Sequence, residues 1–403
     1  MRHTFRIAVL ALACAAVLGV AACGEDDEGG STGAGTAAAT EAAESQEAKK
    51  VTIGWTPPDV TGVFKTATDY LERGAAEASE NGFDVEVITR SPATHTDFAD
   101  QLGIVEDFIS KNVDVIVISP SDVQAVKPAI RQANQADIPV IMVNLLEKQD
   151  DIEVASYIGF DNSEAAAVSA YAVLDYFGGP GVLGTGEQVD VSPDTFMDLA
   201  WWEELYADAD KSAPKAAGGV IEGIAGTFFS QERLDGFNEV ISQYPNMKLL
   251  GKPVAADWNR EKGVAATEDL TARFSPDEMQ FLWAASNEMA LGGIQVLERK
   301  GILNDNGPEG EAPAGKVAMF TNDNTPESTD AIRQDKLIAE TTHGFPEWGW
   351  YGAQFAVKIA CGQEVPETFD IRPRTVWKGN ADQFYPEPKL EPIDWAAIRA
   401  DCD

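Results

Sequence analysis

From residue 51 onward, short apolar runs alternate with amphipathic segments. Residues 51–55 read as a strand, after which Phe64, Ala67, Leu71, Gly74 and Ala78 fall on one helical face. A second strand covers 83–88, and Phe98, Leu102, Val105 and Ile109 form the next helical stripe. The β-branched run at 113–118 is of the kind buried on both faces of a parallel sheet. The rhythm continues through a helix at 122–136, strands at 138–143 and 157–160, and a helix at 163–177. After an irregular stretch at 178–215 it resumes with strands at 220–225, 249–255, 280–285, 317–320 and 337–341. Helices at 231–244, 260–274, 288–300, 326–334 and 348–361 are interleaved with them. This alternation predicts an α/β protein of two doubly wound parallel-sheet lobes.

In such sheets a ligand sits beyond the carboxyl ends of the strands, so the loops after each apolar run are the place to look. They hold Asp59 to Phe64, Ser119 to Asp122, Asn144, Thr227 to Gln231, Asp257-Trp258-Asn259, Ser286-Asn287-Glu288, Asn322-Asp323-Asn324 and Thr342-His343-Gly344. Carboxylates, amides and flat rings facing one cleft suit a neutral polyhydroxylated ligand, bound by hydrogen bonds around its rim and by stacking on its C–H faces. For Ser121, Asp122, Ser163 and Asn324 helix capping is the better account, since Ser, Asp and Asn before a helix satisfy its free N–H groups. Gly179-Pro180-Gly181-Val182-Leu183-Gly184 formally matches a dinucleotide fingerprint, but it follows a helix rather than a strand and contains a proline. Trp201 and Trp202, in the same stretch, read as core, with a wall of the cleft as the alternative.

The first fifty residues have another character. Arg2 and Arg6 precede an apolar run from Ile7 to Ala22, of the length of a secretory signal core and short for a membrane span. Residues 1–22 are therefore expected to be a signal peptide. Val20-Ala21-Ala22-Cys23-Gly24 resembles a bacterial lipobox, in which the cysteine takes a lipid; an ordinary signal peptide with an incidental cysteine is the alternative. Residues 23–50 contain no large apolar side chain and read as a lipid-anchored linker. Export makes Cys361 and Cys402 a candidate disulfide, since no other cysteine is left; two free thiols are the alternative.

The net charge is −36, and residues 24–50 hold only seven of the 66 acidic groups, so the folded part carries the excess. Such a surface excludes nucleic acid and anionic membrane as partners. No His pair at metal spacing, Gly-x-Ser-x-Gly elbow or phosphate-cradling Gly-Lys-Ser/Thr loop is present, so neither metal, cofactor nor catalytic residues are expected.

Ala133-Asn134-Gln135-Ala136-Asp137-Ile138-Pro139-Val140, Gly223-Ile224-Ala225-Gly226-Thr227 with Gln231-Glu232-Arg233 and Gly236-Phe237, and Asn287-Glu288-Met289-Ala290-Leu291-Gly292 together resemble the type I periplasmic binding proteins, in their ribose-binding branch. The resemblance covers residues 51–376. It implies two lobes joined by a three-strand hinge, crossing near Phe160, His343 and Arg372, with 51–159 plus 344–371 as the first lobe and 160–343 plus 372–403 as the second lobe and tail. It also implies a monomeric solute receptor, tethered to the outer face of the cell membrane through its lipid alone, that closes on a sugar and delivers it to an ABC importer permease. Residue by residue, Phe64 matches the stacking ring, Ser119 stands where Asn is frequent, and Asn144 with Leu145 replaces an Asp-Arg pair. Gln231 stands where Arg is usual, Trp258 takes an aromatic platform, Ser286-Asn287 replaces Asn-Asp, Asp323 matches the hydroxyl-binding Asp, and His343 holds a hinge position usually Gln. With these charges gone, the expected ligand is a small neutral sugar or sugar alcohol. A sensor that presents its closed form to a membrane kinase or chemoreceptor is the rival reading, and a secreted carbohydrate hydrolase a weaker one.

Overall fold

The computed structural model describes residues 47–186, 189–310 and 312–402. The expected signal peptide, the expected lipidation site Cys23 and the expected linker up to residue 46 lie outside the described residues. The chain enters its first lobe through β1 (Lys49–Thr56), α1 (Gly62–Glu80), β2 (Phe83–Thr89), α2 (Phe98–Ser110), β3 (Val115–Ile118), α3 (Val123–Gln135), β4 (Val140–Val143) and β5 (Ser156–Gly159). It crosses at Phe160 into α4 (Asn162–Tyr176), α5 (Leu199–Tyr206), β6 (Ala216–Glu222), α6 (Phe228–Ile241), β7 (Met247–Leu249), β8 (Val254–Ala255), α7 (Arg260–Arg273), β9 (Phe281–Ala284), α8 (Asn287–Lys300), β10 (Ala318–Asn322), α9 (Pro326–Arg333) and β11 (Ala339–Thr342). After His343 it returns through α10 (Phe345–Ala360) and β12 (Thr368–Asp370), crosses once more at Arg372 to β13 (Arg374–Trp377), and ends in α11 (Trp395–Ala400).

The first sheet has the order β12-β5-β4-β3-β1-β2, and all of its pairings are parallel. Its inner strands β3 and β4 read Val-Ile-Val-Ile and Val-Ile-Met-Val and are buried throughout, as strands covered on both faces require. The second sheet runs β13-β11-β10-β9-β6-β7, with β8 also on β6, and is parallel except for the edge strand β13 against β11. Two doubly wound lobes are thus present. In the first, α1 and α10 cover one face of the sheet and α2 and α3 the other, giving two apolar clusters. The absence of a side chain at Gly349 lets α10 meet α1, for a Cβ there would stand 2.1 Å from the carbonyl oxygen of Ala67.

The structure corrects or refines the sequence reading in four places. The expected strand at 249–255 is two short strands, broken by Gly251-Lys252-Pro253, where Gly251 takes φ +72°. The irregular stretch contains α5, whose Trp202 is fully buried, lies parallel to Tyr171 at 6.2 Å and donates Nε1–H to Thr375 Oγ1 at 2.8 Å. The glycine-rich run folds around Asp175, whose carboxylate accepts the N–H groups of Gly181, Val182 and Leu183 at 2.9, 2.8 and 2.7 Å, so these donors are taken up internally. Finally, the end of 372–403 does not stay with the second lobe. Ile393, Trp395, Ile398 and Cys402 join the first lobe's apolar cluster, Trp350 Nε1–H donates to the carbonyl of Glu391 at 2.9 Å, and a disulfide ties Cys402 to Cys361 at the end of α10. The apolar face of α11 needs burial, and the outer surface of the first lobe supplies it.

Candidate functional site

A cavity of about 500 Å³ lies between the lobes, lined by loops that follow the strands of both sheets. The first lobe contributes Asp59, Phe64, His95, Ser121 and Asn144, with Phe345 and Trp348 from the start of α10. The second contributes Phe229, Arg233, Trp258, Asn259, Arg260, Ser286, Asn287, Glu288 and Asp323. The lobes also meet at the mouth, where a Cβ on Gly62 (φ +46°) would stand 3.0 Å from Glu288 Oε1.

Phe64, in the first turn of α1, is 6% exposed; its ring centroid lies 5.6 Å from that of His95 and 6.3 Å from that of Trp348. Asn144 follows β4 with φ +66°, a left-handed conformation that Asn tolerates, and its Oδ1 is buried without a partner. Trp258 takes φ +59°, and the Arg233 guanidinium lies 5.2 Å from its ring centroid. Ser286 Oγ has no partner; Asn287 donates Nδ2–H to Thr325 Oγ1 at 3.0 Å and leaves its own Oδ1 free. Asp323, at φ +83°, accepts from Arg233 Nη1 at 3.1 Å.

Three expected site residues lie elsewhere. Ser119 is fully buried outside the lining, where its carbonyl accepts from Gln101 Nε2 at 2.8 Å while Pro120 and Ser121 form the wall. Gln231 is exposed and donates to Asp235 Oδ1 at 2.8 Å. The buried face of α6 runs through Phe229, Ser230, Arg233 and Phe237, so helical phase turns position 231 to solvent and position 233 into the cavity. His343 is fully buried behind the lining, its ring 4.1 Å from that of Phe160, and its Nδ1 lies 3.2 Å from Asp323 Oδ1 and 3.3 Å from Arg233 Nη2. Arg233, which the sequence reading passed over, donates to Asn162 Oδ1 at 3.0 Å and to Asp323, and also to the carbonyl of Ala285. Its signal was the spacing from Phe229 and Phe237.

Burial is the largest influence on the ionisation of this cluster. It pushes His343 down to about 4, helped by the neighbouring Arg233 cation, so the imidazole is neutral near pH 7. Burial alone would raise Asp323, but Arg233 and His343 hold its carboxyl below the ordinary carboxylate value. Other charges at the rim are matched too. Asp59 Oδ2 meets His95 Nε2 at 2.7 Å, Arg260 pairs with Glu288 at 2.9 Å and Glu327 at 2.7 Å, and Lys262 pairs with Asp257. No group of three or more His, Cys, Asp or Glu placed to hold a metal ion occurs among the described residues.

What such a chamber can do is enclose a solute between rings on opposite walls, Phe64 and Trp258, while buried hydroxyl and amide atoms take its polar rim. Known proteins are similar to this chain. The fructose import binding protein FruE of Bifidobacterium longum is 25% identical over 93% of this chain and 95% of its own length. The ribose import binding protein RbsB of Salmonella typhimurium is 26% identical over 76% of this chain and 85% of its own. Among solved structures, a solute binding protein of an ABC transporter from Bacillus halodurans with bound myo-inositol superposes with a TM-score of 0.63 at 21% identity, covering 84% of this chain and 98% of that one. A family model described as the periplasmic binding protein domain matches residues 53–364. With that span and two lobes closing on one chamber, the chain belongs to the periplasmic binding protein family.

Proposed function

We propose that this protein is an extracytoplasmic receptor that binds one small neutral sugar or sugar alcohol between its lobes, without catalysis, and delivers it to an ABC importer. The observation that carries the reading is the state of the polar groups in the cavity. Every cation lining it is already matched by a carboxylate, whereas Ser121 Oγ, Asn144 Oδ1, Ser286 Oγ and Asn287 Oδ1 are buried with no partner. Unmatched hydroxyl and amide atoms on both lobes call for a ligand whose groups both donate and accept, and the matched cations leave none over for an anionic one. Because the ligand touches both lobes, it favours the closed arrangement over the open one. Relatives named for fructose, ribose and, in Mycolicibacterium smegmatis, xylitol fit this chemistry.

The test is a thermal-shift and calorimetric panel of fructose, ribose, xylitol, myo-inositol and glycerol against wild type and the Trp258→Ala and Asp323→Asn variants. Binding of a panel member that weakens by about tenfold or more in either variant supports the reading. Binding of charged solutes in preference to the panel refutes it. Importer against sensor is decided by uptake of the bound solute into cells lacking the protein, which should fall. The mature N-terminus belongs to the same proposal: mass spectrometry of membrane-extracted protein should find a diacylglyceryl thioether on Cys23, and an unmodified Cys23 removes the anchor.

A further inference from the structure

An indole N–H in the cavity wall, a group that can only donate, has no partner. Trp348 stands in the first turn of α10, five residues after the hinge residue His343, and is 1% exposed although it lines the chamber. Its ring lies parallel to that of Phe160 at 6.0 Å, edge-on to Phe345 at 4.4 Å and 6.3 Å from Phe64. Its Nε1–H donates to nothing. An indole N–H can only donate, and a buried donor left unmade is costly, so other tryptophans of this chain use theirs. Trp55 reaches Thr68 Oγ1 at 2.8 Å and Trp202 reaches Thr375 Oγ1 at 2.8 Å. Trp283 and Trp395 also lack partners, but neither lines the cavity.

We infer that Trp348 is a specificity-determining ligand contact, whose Nε1–H donates to one oxygen of the bound sugar or polyol on the side covered by Phe64. The assignment rests on the receptor reading above and names which wall selects for that oxygen. The neighbouring first-lobe atoms without partners, Ser121 Oγ and Asn144 Oδ1, take adjoining hydroxyls. Since Trp348 packs against Phe160, where the chain crosses between lobes, the same bond sets the ligand against a hinge residue.

Trp348→Phe keeps a ring in place and removes the donor. Calorimetry of wild type and variant with the tightest panel member, and with its singly deoxygenated analogues, reads the contact as a double-mutant cycle. The wild type should lose about tenfold in affinity for one deoxy analogue. The variant should bind that analogue and the parent equally, with the parent weakened about tenfold. If the wild type binds no panel member, the receptor reading fails and this contact with it. If the wild type binds but the variant keeps the wild-type ratio for every deoxy analogue, only the assignment of Trp348 is overturned. A second measurement needs no variant. In wild type labelled with 15N at its nine tryptophans, one indole N–H signal protected from solvent exchange should move downfield on adding the ligand. A spectrum in which every protected indole stays in place overturns the contact.

Discussion

Phe229 belongs to the second lobe by chain, at the start of α6, yet is buried to 6% exposure in the first lobe's apolar cluster with Val123, Leu145 and Tyr157. That burial exists only while the lobes are closed. Complete burial of a phenylalanine is worth roughly 1.5–3 kcal/mol. Phe228 covers part of the ring from its own lobe, with centroids 5.5 Å apart, so the share that depends on closure is about 1–2 kcal/mol. Phe229→Ala should therefore shift the closed-to-open ratio about 5- to 30-fold toward open. When the unliganded protein is mostly open, the apparent Kd rises by the same factor, because binding must then bring about closure without that contribution. The mark of this mechanism is uniformity: every panel ligand should weaken by one common factor. Calorimetry gives the affinities, and small-angle scattering should show less compaction at a given ligand concentration. Unchanged affinity, or a loss that differs from ligand to ligand, would refute the closure argument and make Phe229 an ordinary contact.

The other expectations concern stability. Cys361→Ser with Cys402→Ser opens a loop with a sequence separation of 41, and chemical denaturation should show a loss of about 4 kcal/mol in the chain-entropy model; an unchanged unfolding midpoint contradicts it. Asp323→Ala strands the buried Arg233 cation, so thermal melting should show a loss of about 3–5 kcal/mol; an unchanged melting temperature would mean that the Arg233–Asp323 pair carries no stability. His343 gives a pH dependence of definite sign. With its native value depressed to about 4 from 6.5, the unfolded chain binds the extra proton first as pH falls, so this stability is present above 6.5 and lost toward 4. It amounts to about 3 kcal/mol. Asp323, also depressed, acts in the same direction at lower pH. Denaturation midpoints across pH 4–7 should slope less in His343→Gln, and an equal slope would locate the titration elsewhere.

How far the sequence carries such arguments depends on what each residue's position is decided by. The lobes were legible because β3, β4 and β9 are unbroken apolar runs and the helices between them keep one apolar stripe. Locally decided lining residues were legible for a similar reason: Phe64, Asn144, Trp258, Ser286, Asn287 and Asp323 follow strands at the ends where a cleft must form, and they line the cavity. Gln231 failed by helical phase, since a shift of two positions turns a side chain to roughly the opposite side of α6. Ser119 failed because Gln101, from α2, holds the loop by its backbone, at Ser119 O and at Ser121 N, an interaction between residues eighteen and twenty apart. His95, Phe229 and Trp348 were missed because their importance comes from the opposite lobe, from the ligand or from a pair such as Asp59 with His95, 36 residues away. The tail went astray for want of a nearby cue: only its cysteine pointed back to α10.

Charge acts on two scales in this molecule. Over the surface, −36 is a long-range field that keeps the chain soluble and lowers the concentration of anionic solutes near the cleft. Inside the cleft, the same excess of carboxylates is spent locally: Asp323 fixes Arg233, Glu288 fixes Arg260, Asp257 fixes Lys262 and Asp59 orients His95. An acidic composition would by itself suggest a receptor for cations. Pairing weakens that inference for Asp59, Asp257, Glu288 and Asp323, because a carboxylate already held by a cation or imidazole within hydrogen-bond distance has little left to offer a cationic ligand. On the proposed reading, selectivity then falls to the groups that pairing leaves over, the aromatic faces and the buried hydroxyl, amide and indole atoms, which would distinguish one neutral polyol from another by where its oxygens stand.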